Sequence, residues 1–501
     1  MSILKSVCVA VALSLVPLTM PASSHAQDLL SQDHVRRDLD SLHRQMEQAH
    51  FDLYARRDRM SYEAFLESLH REIDGPMTAA EAAILFQRYL AFGRVGHART
   101  QAPLEHFVGH LGGGGRFLPI FIRVDGQRVL LTRTTDIDGR LRAGMEVVAL
   151  NDQPISTWID TASGYVSADR PEMAQAQLEE SFPAILWFLA PEARSIRVLA
   201  RDESGLEIQA DVPAITISDL WAMDEAYPTP SPDLGAPRSW RMLDDTVAYL
   251  RPGPFIEIEA PPSESPTYDA ATFSAFVDGA FTGLLAAGAT DLIIDLRDNP
   301  GGDNSFSDLI VAWFADRPFR FASRFTLRAS PQSKAWYADH SGPDDDPVTA
   351  ALAAAEAAQP DGTRYVFDLP YVQPRPDRRF TGRVYVLVNR HSYSNAASMA
   401  AMIQDYGFGQ IVGEPTADLA TTYASVLAFS LPQTGVRVEY PKSYIVRPNG
   451  DESLAGVVPD HELARAPIAE AADVVLDQAA AWIRASRTGS APAPGPRQSA
   501  E

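Results

Sequence analysis

Cysteine is almost absent from this chain. One residue, Cys8, occurs in 501. A single thiol excludes a disulfide framework and a cysteine-built metal site. Basic charge is also scarce. Lys and Arg total 43 against 65 Asp and Glu, a formal net charge of -22. A surface of that sign repels phosphate backbones and anionic lipid, which argues against nucleic-acid binding. Long apolar runs are confined to the start of the chain, and no later segment is apolar enough to span a bilayer. What remains is an ordinary globular composition, 46% apolar and 22% charged. The length accommodates about three domains at roughly 150 residues each.

Met1 to Gln27 has the pattern of a secretory signal. Lys5 supplies the positive start, Val7 to Leu18 the apolar stretch, and Ser24-His25-Ala26 a small-x-small cleavage site. Cleavage after Ala26 removes Cys8 and leaves a mature chain with no thiol. The expected destination is the periplasm or the exterior. The alternative is an uncleaved anchor. Cys8 lacks the cleavage context of a lipoprotein, so no lipid anchor is expected.

Residues 27–111 read as a helical region. Val35, Leu39, Leu42 and Met46 recur at helical spacing. A second helix is expected over Tyr62 to Ile73 with Ser61 as its cap. Thr78-x-x-Glu81 opens a third that runs to Phe92. Gly112 to Gly115 marks a boundary. Over residues 112–216 period-two patterns dominate, beginning with a hairpin around Asp125-Gly126. Leu141-Arg-Ala-Gly-Met-Glu-Val-Val-Ala-Leu-Asn151 resembles the PDZ pattern, against the plainer reading of a small β-rich domain. Tyr227 to Pro237 is a Pro-rich linker. Residues 217–485 have an α/β pattern. Asp291 to Arg297 and Val384 to Val388 are apolar runs suited to buried parallel strands. Helices are expected at Ala270 to Ala287, Ser305 to Phe314, Asn395 to Tyr406 and Ile468 to Ile483. A hairpin is expected across Pro432 to Gly435. Residues 486–501 form a Pro, Ala and Ser tail with no means of packing.

Two turns follow the apolar strands, where α/β folds place ligands. The first is Arg297-Asp-Asn-Pro-Gly301-Gly302. Its glycines allow backbone amides to approach a ligand, as an oxyanion hole requires, although Asn-Pro-Gly-Gly is also a common tight turn. The second is Asn389-Arg-His-Ser-Tyr-Ser394-Asn395 at the start of a helix. Ser394 there is either a nucleophile beside the amide of Asn395 or a plain helix cap.

The ordered set is more specific than either turn. Asp291 to Gly302, Gly382 to Asn389, Ser392 to Ser398, Gln404-Asp-Tyr-Gly407, Gly413-Glu-Pro-Thr416 and Gly456-Val-Val-Pro-Asp460 together resemble the C-terminal processing and tricorn-core serine peptidases. The resemblance covers residues from about 240 to 480 and places the nucleophile on Ser394, with Ser392 and Ser398 out of register. It implies an α/β fold with a ClpP/crotonase-like core, a polypeptide substrate and no metal or organic cofactor. It implies oxyanion donors at Gly301 or Gly302 and at Asn395. One branch of the family activates its serine with a lysine, and that register holds Leu419 here. A leucine cannot accept a proton. The tricorn branch uses a histidine from the N-terminal region, and Arg94-Val-Gly-His97-Ala98 resembles that segment. His97 is therefore the expected base. Glu452 is the expected orienting acid, with a one-residue bulge, because the strict register falls on Ser453. Gly96 stands where tricorn carries a serine. His391 is expected to line the pocket. His106 and His110 lie four apart with no partner cluster, so no metal site is expected. The rival expectation is a non-catalytic peptide- or lipid-binding protein on the same scaffold, and a smaller third is an esterase. The oligomeric state is not legible.

Overall fold

The computed structural model describes residues 29–259, 268–340 and 347–487. The expected signal segment, Cys8 and most of the expected tail lie outside these residues. Four helices open the fold: α1 (Gln32–Ala49), α2 (Arg59–Glu72), α3 (Ala79–Phe92) and α4 (Ala102–Gly112). The capping box of α3 forms between Thr78 and Glu81 as expected. Helix α2 begins three residues earlier than the pattern suggested. Asp58, not Ser61, is its cap, because the Asp58 carboxylate accepts the Ser61 amide at 2.8 Å.

The middle region carries β1 (Ile122–Asp125), β2 (Arg128–Leu131), β3 (Glu146–Leu150), β4 (Gln153–Pro154), α5 (Ile155–Ser163), α6 (Pro171–Leu189), β5 (Ser195–Arg201) and β6 (Glu207–Pro213). Its antiparallel sheet runs β1-β2-β3-β5-β6, with β4 on β3. The hairpin around Asp125-Gly126 is present. Helix α6, 19 residues long, was not expected from the pattern. Its Leu178, Phe182, Ile185 and Leu186 share one core with Ile122, Leu131, Leu150 and Val198. Helix α7 (Ile217–Ala226) leads out of this region.

The remaining elements are β7 (Ser239–Met242), β8 (Val247–Arg251), α8 (Ala271–Ala286), β9 (Asp291–Asp295), α9 (Asn304–Val311), β10 (Arg324–Arg328), α10 (Pro331–His340), α11 (Pro347–Ala358), β11 (Arg364–Val366), β12 (Arg383–Val388), α12 (Asn395–Tyr406), β13 (Gln410–Gly413), β14 (Thr422–Ser430), β15 (Arg437–Val446), β16 (His461–Glu462) and α13 (Val474–Arg487). One sheet runs β16-β13-β12-β9-β8-β7 and is parallel except for β7. Its apolar strands are explained by burial on both faces. Leu292, Ile294, Val384 and Val386 pack against α8, α9 and α12, while Ile293, Tyr385 and Leu387 pack against α13. Helix α13 starts later than expected. Asp473 accepts the Leu476 amide and pairs with Arg297, which fixes the helix start beyond Ile468.

A second sheet, β11-β10-β15-β14, contains the expected hairpin, longer than its pattern suggested. The N-terminal helices dock on it. Leu39, Leu42, Met46 and Phe86 share a core with Tyr423, Leu427, Val438 and Tyr440. Asp38, fully buried on α1, accepts the amides of Gln433 at 3.0 Å and Thr434 at 2.7 Å at the hairpin turn. Truncating it strands two donors. Asp38→Ala is expected to lower stability by about 1–3 kcal/mol, read as a shift in the denaturant midpoint.

Candidate active site

The two turns meet at the carboxyl ends of β9 and β12. They are tied together by side chains. Asn389 Nδ2 donates to Asp298 Oδ1 at 2.8 Å, and the Asp298 amide donates back to Asn389 Oδ1 at 3.1 Å. Ser392 Oγ donates to the Leu296 carbonyl at 2.7 Å, so this serine is structural. The Tyr393 amide donates to the Asn299 carbonyl at 2.9 Å.

Ser394 follows at the start of α12 with φ 54° and ψ -122°. A side chain at positive φ is strained, and such strain collects at functional turns. The Ser394 hydroxyl makes no capping bond. It lies 3.3 Å from His97 Nε2 instead. The purely structural cap reading therefore fails for this side chain.

His97 is buried and comes from the loop after α3, 297 residues from Ser394. Its ring stacks on Tyr393, with centroids 5.1 Å apart and planes at 28°. Tyr393 Oη donates to the Gly96 carbonyl at 3.2 Å, which fixes the stack. Burial pushes the His97 pKa down to about 3, Arg99 adds to the fall, and Glu439 opposes it. The ring is neutral near pH 7. Nδ1 is buried without a hydrogen-bond partner among the described residues; the Tyr423 main chain favours protonation slightly without reaching bonding geometry.

Gly301 and Gly302 both have positive φ, 86° and 131°. A Cβ on Gly301 would stand 2.7 Å from the Asn395 nitrogen and 2.8 Å from Ser394 Cβ. Only glycine lets the two turns approach this closely. The Gly301 amide donates to Asn299 Oδ1 at 2.8 Å and is thus engaged. The amides of Gly302 and Asn395 donate to no acceptor among the described residues. The Asn395 side chain is held by Asn304, Ser307 and the Asp303 carbonyl.

Glu452 is not brought to this site. It is exposed and pairs with Arg324 at 2.7 Å, with no bond to His97. Leu419 is buried, as an apolar residue in the lysine register should be. Lys442 is also buried, but it donates to Tyr337 Oη at 2.6 Å. His391 pairs with Glu179 at 3.0 Å and Glu180 at 3.4 Å. Burial lowers its pKa, yet these carboxylates overcome that and push it up to about 10. His391 is therefore a cation engaged elsewhere. His110 Nε2 donates to the Arg116 carbonyl at 2.9 Å.

Sequence reasoning missed two buried carboxylates. Asp418 Oδ2 accepts the Ser394 amide at 2.5 Å. Asp169 Oδ2 accepts the Gly96 amide at 2.8 Å, next to His97. Asp169 belongs to a middle-region strap, residues 165–170, that touches both the His97 segment and the loop carrying Asp418. Ser167 Oγ donates to the Ala98 carbonyl at 2.6 Å, and Arg170 donates to the carbonyls of Thr416 and Ala417 at 2.9 and 3.2 Å. The only local signal was an acid inside the apolar run Ala417-Asp-Leu-Ala420.

A serine at positive φ facing a neutral imidazole beside a glycine turn is an arrangement that nucleophilic hydrolysis can use. Residues 263–463 match the family model described as peptidase family S41, so this part of the chain is similar to serine-type peptidases of that family. Among solved structures, mature CPAF aligns with 92% of this chain and 99% of its own, at 14% identity and a TM-score of 0.62. That likeness shows the fold. The photosystem II D1 C-terminal processing protease aligns with 86% of this chain and 93% of its own, at 16% identity and a TM-score of 0.43. No curated protein matches the chain.

Proposed function

We propose that the chain is an exported endopeptidase that cleaves polypeptides through an acyl-enzyme on Ser394. His97 Nε2 takes the hydroxyl proton as Oγ attacks the scissile carbonyl. The tetrahedral oxyanion is held by the free amides of Gly302 and Asn395. His97 then protonates the leaving amine, the carbonyl re-forms, and water repeats the cycle in reverse roles. Gly301 serves by its lack of a side chain rather than by its amide. Glu452 has no part in this account, because stacking on Tyr393 orients the imidazole.

The parallel sheet is read as a ClpP/crotonase-like core and the middle sheet as a PDZ-like module that presents substrate. Export rests on the Lys5 to Ala26 pattern. The observation that carries the catalytic reading is the 3.3 Å approach of Ser394 Oγ to His97 Nε2 across 297 residues of chain. A fluorophosphonate probe is expected to label the mature protein, and Ser394→Ala to abolish the label. Undiminished labelling of that variant would remove Ser394 as nucleophile. A non-catalytic binding protein on this scaffold would not label at all.

A further inference from the structure

We propose that Asp418 is a positioning residue whose carboxylate holds the Ser394 amide and thereby aims the hydroxyl at His97. The inference rests on Ser394 and His97 acting as set out above. Asp418 is 1% exposed, at the bottom of the loop between β13 and β14. Both of its oxygens are used by main-chain donors. Oδ2 accepts the Ser394 amide at 2.5 Å, and Oδ1 accepts the Leu419 amide at 2.8 Å. No Lys, Arg or His among the described residues forms an ion pair with it. The loop itself is anchored, since Thr416 Oγ1 donates to the Asp418 carbonyl at 2.9 Å and accepts the Val457 amide at 2.8 Å.

Two amides converging on one unpaired carboxylate require that carboxylate to be an acceptor at both oxygens. A protonated acid carries O–H at one of them, which is a much poorer acceptor, so one of the two amide bonds is weakened. The Ser394 backbone is the strained partner, at φ 54°. Freed of its acceptor, it can relax, and a displacement on the order of 1 Å at a nucleophile costs about 100-fold in rate.

The charges around Asp418 tune this bond. Burial raises its pKa, the Ser394 amide lowers it, Asp169 raises it, and the Leu419 amide and Arg99 lower it, leaving it at about 7. Tyr393 faces the same carboxylate. Asp169, itself pushed up by burial, is held by Gly96 and Arg56. The ionised, bond-accepting form of Asp418 therefore accumulates as pH rises through about 7. His97 contributes no ionisation there, because it loses its proton near 3.

The test measures second-order fluorophosphonate labelling and peptide turnover from pH 5 to 9. In the wild type both rates are expected to rise through an ionisation near 7. In Asp418→Asn, one amide faces an NH2 group at every pH. Its labelling rate is expected to fall about 10- to 100-fold, with kcat reduced, KM within about threefold, and no ionisation near 7. Asp418→Asn labelling at the wild-type rate, or keeping the same ionisation, overturns the proposal while leaving the Ser394 reading intact. Should the variant not fold, the wild-type profile decides: a flat profile between pH 5 and 9 overturns it. Loss of the label in Ser394→Ala separates failure of the parent reading from failure of this one.

Discussion

His97→Ala is expected to lower kcat/KM on a peptide substrate by about four to six orders of magnitude. Among the described residues, His97 is the one base hydrogen-bonded to Ser394 Oγ. Leu419 occupies the lysine register, Lys442 is spent on Tyr337, and His391 is a cation bound to Glu179. The fluorophosphonate label should fall in parallel, since the probe also needs an activated hydroxyl. Ser394→Ala combined with His97→Ala should be no worse than either alone, because the two act as one unit. A His97→Ala enzyme within tenfold of the wild type would show that another group takes the proton. Imidazole added in trans is an informative companion measurement, because a small cavity replaces the ring.

Gly301→Ala is expected to be nearly as damaging by another route. The added methyl would lie 2.7 Å from both the Asn395 nitrogen and the Tyr393 carbonyl oxygen. These are backbone atoms of the nucleophile turn and cannot swing aside. The residue must also keep φ 86°, which disfavours alanine. Asn395 carries one of the two free amides, so the shift misplaces a proposed oxyanion donor together with Ser394. Losing one such donor costs about 100- to 1,000-fold in kcat. The expected result is a loss of at least about 100-fold in kcat/KM with a lowered Tm. Full activity in Gly301→Ala would mean that the two turns separate more easily than their cross-ties imply.

The site was legible where its signal was local. The strand, glycine turn and serine turn each fit within a dozen residues, and their order fixed Ser394, Asn395 and the glycines. His97 was reachable because its short segment has its own pattern and because Leu419 removed the competing base. Glu452 misled because counting along a strand carries no information about Arg324 on β10, which claims that carboxylate. Asp418 was invisible for a related reason. It binds a backbone amide, and a backbone amide has no side-chain partner to betray the pairing. The same applies to Asp169 and Gly96. In the fold, the parallel strands were evident from their apolar runs, whereas α6 was not. Its apolar residues nearly encircle the helix and blur the amphipathic period.

The 297 positions between His97 and Ser394 also govern when the molecule can act. During synthesis the imidazole leaves the ribosome long before any hydroxyl exists for it to deprotonate. Even a chain complete through Ser394 still lacks Asp418, Tyr423 and the β14–β15 hairpin on which the first helices rest. If Ser394 and His97 act as proposed, a stalled or truncated product is expected to be inert. On that reading, activity awaits the docking of the first helices on the β14–β15 hairpin and cannot precede its synthesis.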